Sequence, residues 1–280
     1  MNLQEMERAQ KEIINGAVVA VREVMAPFVG TRITLPLWLR LLRLLFGIVS
    51  PAAKQVAEVS RDFYDSERYK AFPGAPRHDV FLSELKEDRF LKDMSPLKSQ
   101  FTAREVTSRD VDKLALRVAR SIENSGRWTI MHAVETPDPY FESGEYKKSI
   151  IGKDKSSIVR GWARVATGDE TCSWCLMLVS RGAVYYSART AGSKFGDRDS
   201  MQMVGAGEFD PEEHMSAWHD GCDCKVVPVF NLKQWAGKGR FLAAQKMWKE
   251  VTKGLHGKDA MNAFRRAAEA GEYTKYLSKF

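Results

Sequence analysis

The chain has 280 residues, of which 44% are hydrophobic and 28% charged, with a formal net charge of +7. A chain this long can bury a substantial core, and this composition excludes a largely disordered protein. The charge is concentrated: residues 231–280 hold eleven Lys or Arg against four Asp or Glu, so residues 1–230 sum to zero. A basic C-terminal fifth can face nucleic acid, a membrane surface, an acidic protein or plain solvent.

Residues 1–16 are of mixed charge without an apolar run, so no secretory signal is expected. Residues 3–25 predict an amphipathic helix, because Leu3, Met6, Ile13, Ala17, Val21 and Val24 recur at three- and four-residue steps. Pro27 and Gly30 end it. A second helix is expected over 37–49, apolar on most of its circumference and charged only at Arg40 and Arg43. The apolar stretch Leu35–Val49 falls short of the ~20 residues a membrane span needs, so no span is expected. So apolar a helix needs a core or a partner surface, which makes Leu37, Trp38, Leu41, Leu42, Leu45 and Phe46 candidate partner contacts.

Pro51 is expected to start a third helix over 51–70, and Phe72-Pro-Gly-Ala-Pro76 reads as a linker. Helices follow near 79–91 and 108–133, the second capped by Thr107 or Ser108. Pro137-Asp-Pro139 closes the helical part. Beyond it the period changes. Ser157–Ala166 reads as a strand, Leu176–Ser180 as one or two helical turns, and Ala183–Ser187 as a second strand. Residues 191–217 read as a long loop, and Cys224–Phe230 as a closing strand with Pro228 at an edge or end. Two basic helices are expected over 240–253 and 258–270. In this basic tail Lys238, Arg240, Lys246, Lys249, Lys253, Arg265 and Arg266 are candidate contacts to DNA or an acidic partner. The fold class is therefore α+β, with a helical region over 1–136, a small Cys/His module over 137–230 and a basic helical tail over 231–280.

All four cysteines lie in two clusters, Cys172-Ser-Trp-Cys175 and His219-Asp-Gly-Cys222-Asp-Cys224. Zinc takes sulfur and imidazole ligands in a tetrahedron, and C-x2-C on a turn aims two thiols at one ion. In an extended chain Cys222 and Cys224 face the same side. Cys172, Cys175, His219, Cys222 and Cys224 thus offer five candidates for four positions around a metal, zinc being the cofactor expected. Three alternatives stay open: disulfides between the clusters, buried free thiols, and a redox-active C-x-x-C.

Catalytic patterns are missing. A nucleobase deaminase needs H-x-E and then P-C-x-x-C, whereas this chain has His132-Ala-Val-Glu135 and Thr171 before Cys172. No H-E-x-x-H, phosphate-binding loop or G-x-S-x-G occurs, and His78, His132, His214 and His256 stand apart from one another. No catalytic residue is assigned.

Taken together, Cys172-Ser-Trp-Cys175, Arg181-Gly-Ala-Val-Tyr185, Ala191-Gly192, His219-Asp-Gly-Cys-Asp-Cys224 and Val227-Pro-Val-Phe230 carry a resemblance. Over residues 158–230 the order resembles the MuF-like (head morphogenesis) minor capsid proteins of tailed bacteriophages, in their actinobacterial-phage form. Where many of that class carry H-P-x-C-R-C, this chain has Asp220 and Asp223. The resemblance implies a non-enzymatic component of the capsid interior near the portal, made in the host cytoplasm, that aids head assembly or DNA packaging and delivery. Its implied partners are the portal protein, other head proteins and packaged DNA, with no small-molecule substrate. Two other readings compete: an ejected enzyme acting on host nucleic acid or protein through His219 or Glu170, and a DNA-binding module built on the basic tail.

Overall fold

The computed structural model describes residues 1–168, 171–183, 218 and 220–278. Helix α1 (Leu3–Met25) starts in a capping box: Asn2 accepts from the Glu5 amide, and Glu5 accepts from the Asn2 amide at 2.8 Å. Its buried face is Met6, Gln10, Ile14, Ala17, Val21 and Met25, close to the predicted stripe.

Helix α2 runs unbroken from Leu35 to Ala71, 37 residues, with Pro51 inside it. This corrects the expectation of two helices divided at Pro51. An interior proline costs about 3 kcal/mol through a lost hydrogen bond and a steric clash. Val49, Ala52, Ala53 and Val56 are all buried around it. Burying each valine contributes about 1.5–3 kcal/mol, which offsets that cost. The unbroken helix is, by length and composition alone, long and apolar enough to cross a membrane, with a mean hydropathy of 1.4 over 18 residues.

The face of α2 that was expected to meet a partner points inward. Trp38, Leu41, Leu42 and Leu45 are buried, and Leu37 and Phe46 are half-buried against the same core. Trp38 stacks on Phe101 with ring centroids 4.5 Å apart. The outward side chains are instead Leu35, Leu39 and Leu44. Trp38, Leu41, Leu42 and Leu45 are therefore corrected from partner contacts to core: their three- and four-residue spacing buries them against α1 and the later helices.

Helix α3 (Glu87–Met94) begins later than expected, because the preceding segment is strapped to α2. Arg61 donates to the carbonyls of Val80 (2.9 Å) and His78, and the Ser83 amide donates to Thr129 Oγ1 at 3.1 Å. His78 is buried between Tyr64 Oη (2.8 Å) and the Pro137 carbonyl (2.9 Å). One turn further along α2, Arg68 grips Asp138 with two bonds of 2.9 and 3.0 Å. Short helix α4 (Lys98–Thr102) precedes α5 (Ser108–Glu135), whose cap is Thr107 paired with Asp110. Helices α6 (Pro139–Glu142) and α7 (Gly144–Ser149) are single short pieces.

Strand β1 (Ile158–Val165) pairs antiparallel with β2 (Lys225–Asn231), Trp162 opposite Pro228 and Val165 opposite Lys225. In a two-stranded sheet each strand keeps one free edge, so Pro228 can be accommodated. Helix α8 (Ser173–Val179) lies between them in sequence, and α9 (Lys238–Val251), α10 (Gly257–Glu269) and α11 (Tyr273–Leu277) follow. The architecture is α+β: helices with one small antiparallel sheet among the described residues. The strand expected over 183–187 and the loop over 191–217 lie outside the described residues, apart from Ala183.

Two apolar cores divide the molecule. One gathers Ile14, Val21, Leu42, Leu45, Phe90, Phe101, Leu114 and Val118 between α1, α2 and α5. The other contains Phe63, Trp128, Trp162, Cys175, Val227, Met247 and Phe264. Helices α2 and α5 run through both. The second core continues across residues 136 and 230, joining helical region, module and tail.

Candidate metal centre

Two short pieces of backbone meet beside α5. Cys172 caps α8, and its sulfur accepts from the Cys175 amide at 3.3 Å. Gly221, at φ +77°, turns the other piece, and Cys222 and Cys224 lead directly into β2. The sulfurs of Cys175, Cys222 and Cys224 all lie within 4.8 Å of one another, and Cys175 and Cys222 are 3.4 Å apart. These three residues are 0, 4 and 0% exposed. Three buried cysteines this close could hold a metal ion. All four thiols are free of disulfide bonds, and Cys172 is half-buried. His219, the fifth candidate ligand, lies outside the described residues, as does Glu170.

The loops are tied to each other through Asp223. Its carboxylate accepts from the Gly168 amide at 2.7 Å and from Thr171 Oγ1 at 2.8 Å. Thr167 Oγ1 donates to the Asp223 carbonyl at 2.6 Å. Gly168 is required there, because an added Cβ would overlap the Asp223 carboxylate, with its Cγ only 3.0 Å away. Burial raises the Asp223 carboxyl, against the hydrogen bonds that lower it.

They are tied to α5 by arginines. Buried Arg127 donates from Nε to the Cys224 carbonyl (3.0 Å) and from Nη2 to the Cys222 carbonyl (2.9 Å). Its guanidinium also pairs with Glu123 at 2.8 Å, and Glu123 holds Lys225 at 2.7 Å. Arg117 and Arg120 grip Asp220 at 3.2 and 2.8 Å. The guanidiniums of Arg164 and Arg127 lie over the Trp218 ring, 3.7 and 4.2 Å from its centroid.

The three buried thiols shift one another in opposite directions. The Cys222 thiol is held well below its usual range by hydrogen bonds from Cys175, then Cys224, with the Arg127 charge adding to them. Cys175 is pushed up, first by its hydrogen bond with Cys172 and then by those with Cys222 and Cys224. Cys224 is also raised: its bond with Cys175 lowers it, but Cys222 and burial outweigh that. A bound cation would hold the three sulfurs as thiolates, since a metal takes cysteine in that form.

The arginines of α5 carry no cysteine-like motif and were not foreseen. Their one signal is spacing: 117, 120 and 127 share one helical face. The tail residues scatter. Lys249, Lys253, Arg265 and Arg266 are exposed, and Lys238 and Lys246 are half-buried. Arg240 pairs with Glu7 of α1 at 2.9 Å and Arg265 with Glu269 at 3.6 Å.

No solved structure matches the chain. The Gene 15 protein of Mycobacterium phage L5 is 34% identical over 302 residues, covering 98% of this chain and 97% of its own length. The Gene 15 protein of Mycobacterium phage D29 is 34% identical over 281 residues, covering 93% of this chain and 96% of its own. The model of the VG15 protein family matches residues 1–251, spanning α1, the thiol cluster and α9. The chain belongs to the VG15 protein family, with relatives encoded by mycobacteriophages.

Proposed function

We propose that the chain is a structural, non-enzymatic protein of the phage head: a minor capsid (head morphogenesis) protein inside the capsid, near the portal. Membership of a phage protein family supports a site of action in the virion or the infected cell. The narrower assignment rests on the MuF-like order of strand, C-x-x-C, C-x-C and Val-Pro-Val-Phe. The observation that carries the structural role is the burial of Cys175, Cys222 and Cys224 in the core shared by the helical region and the tail. A metal ion held by thiols placed there would clip these segments together. Identification of the chain in purified virions by mass spectrometry is expected, and its absence from them overturns the proposal.

Zinc suits the clip. Thiolates about 2.3 Å from a tetrahedral zinc lie roughly 3.8 Å from one another. The observed separations, 3.4 Å for one pair and at most 4.8 Å for all three, bracket that value. His219 or Cys172 would supply the fourth ligand. Protein purified under reducing conditions should hold one zinc per chain, and a metal-free preparation of equal stability refutes the clip.

Portal and head proteins are the partners this reading requires. Packaged DNA is supported by the exposed Lys249, Lys253, Arg265 and Arg266. Each phosphate they neutralise would steepen the salt dependence of binding. DNA binding that is undetectable or insensitive to salt removes DNA from the list.

A further inference from the structure

Cys175, Cys222 and Cys224 supply three sulfurs within 4.8 Å of one another, one short of the four ligands of a structural zinc site. Cys172 is held beside them from both sides. Thr171, just before it, donates from Oγ1 to the Asp223 carboxylate at 2.8 Å, and Asp223 stands between Cys222 and Cys224. Cys175, just after it along α8, lies 3.4 Å from Cys222, sulfur to sulfur. The stretch that carries Cys172 is thus pinned at each end to the stretch that carries the other pair.

The Cys172 sulfur is also engaged locally. It accepts from the Cys175 amide at 3.3 Å, and its thiol is hydrogen-bonded to the Cys175 thiol. An amide donor to sulfur favours the thiolate, the form in which a metal takes cysteine. A C-x2-C turn with its two thiols in contact is suited to present both to one ion. Cys172 is half-buried and stands at the edge of the three-sulfur group, where the other three are sealed in the core.

We propose that Cys172 is the fourth ligand: its side chain turns in from that edge, so that four sulfurs and no imidazole surround the ion. This rests on the metal clip put forward above and states how that clip is closed and which ions it takes. Four protein ligands leave no position for a water or a substrate, which makes the site structural. An all-sulfur set selects soft and borderline ions such as zinc, against magnesium and calcium, which take oxygen ligands.

The test loads reduced, full-length protein with zinc, treats it with iodoacetamide and reads each cysteine by mass spectrometry. All four cysteines should be protected while zinc is bound, and half-buried Cys172 should be the first to be alkylated after chelation. No substitution is needed, so a misfolded variant cannot mimic the result. Cys172 alkylated equally fast with and without bound zinc overturns the proposal and leaves the clip standing. Cobalt(II) in place of zinc gives a second readout, because its sulfur-to-metal absorption grows with the number of thiolates bound. His219→Ala should leave that absorption unchanged, and Cys172→Ser should weaken it. The reverse pattern overturns the four-sulfur site alone, whereas protein that binds neither zinc nor cobalt overturns the clip with it.

Discussion

Arg127 Nε donates to the carbonyl of Cys224 at 3.0 Å, binding the middle of α5 to a residue 97 positions later. The same guanidinium reaches the Cys222 carbonyl, Asn124 and Glu123. One side chain thus sets the position of both thiols in the second cluster.

Arg127→Met keeps much of the volume but leaves two buried carbonyls and Glu123 without their donor. Removing one partner of a buried charged network costs about 3–5 kcal/mol. Lys225 retains Glu123, so the lower end of that range is expected. Urea unfolding should show the loss, and a change below ~1 kcal/mol would mean that Arg127 does not organise the loop.

Metal removal should act on the same region. Chelation of reduced protein, or Cys222→Ser, is expected to lower the melting temperature and the metal content together, since metal binding contributes directly to folding. Asp223→Ala should weaken metal binding by about 10-fold or more, as loss of groups that orient ligands does. Unchanged melting after chelation, with metal verified as removed, would contradict this.

Acid should destabilise the protein through Asp138 and Asp110. Burial raises the Asp138 carboxyl, but its two bonds to Arg68 and the Arg68 charge lower it further, for a net depression. Asp110 is depressed, first by its hydrogen bond from Arg104. A depressed native carboxyl contributes stability that is fully present above its unfolded value, near 4, and is lost as pH falls through the native one. Stability measured by denaturant should therefore drop below about pH 4. Asp138→Asn should flatten part of that drop, while costing about 3–5 kcal/mol at neutral pH by leaving Arg68 buried and unpaired. An acid limb identical to wild type would show that the ion pair contributes nothing.

Gly126→Ala tests the crossing of α1, α2 and α5. Alanine normally stabilises a helix by about 1 kcal/mol over glycine. Here the added Cβ would overlap Ser60 Oγ and lie 2.9 Å from Val56 Cγ1 and 3.1 Å from Gln10 Nε2. It would also disturb the 2.7 Å bond between Gln10 and Ser60. Overpacking of this kind costs about 1–3 kcal/mol, so net destabilisation is expected. A more stable variant in thermal melting would contradict the packing.

Local pattern was the readable part of the fold. The apolar steps of α1 and α5, the Thr107 cap, both strands and the basic helices α9 and α10 follow from spacing and capping alone. What spacing could not weigh was burial against backbone cost: Pro51 looked like a helix start because the core around Val49–Val56 was not visible. The same blindness assigned Trp38 and Leu42 to a partner. An apolar stripe has the same spacing whether it packs on its own chain or on another.

The sequence by itself determined the thiol pattern: two clusters, their order and their short spacings, written in nearly consecutive residues. Only the tertiary structure decided that Cys175 meets Cys222 and Cys224 in a buried core, and that α5 holds them there. Motif spacing is local, whereas the arginines that neutralise and position the cluster arrive from about a hundred residues away through packing.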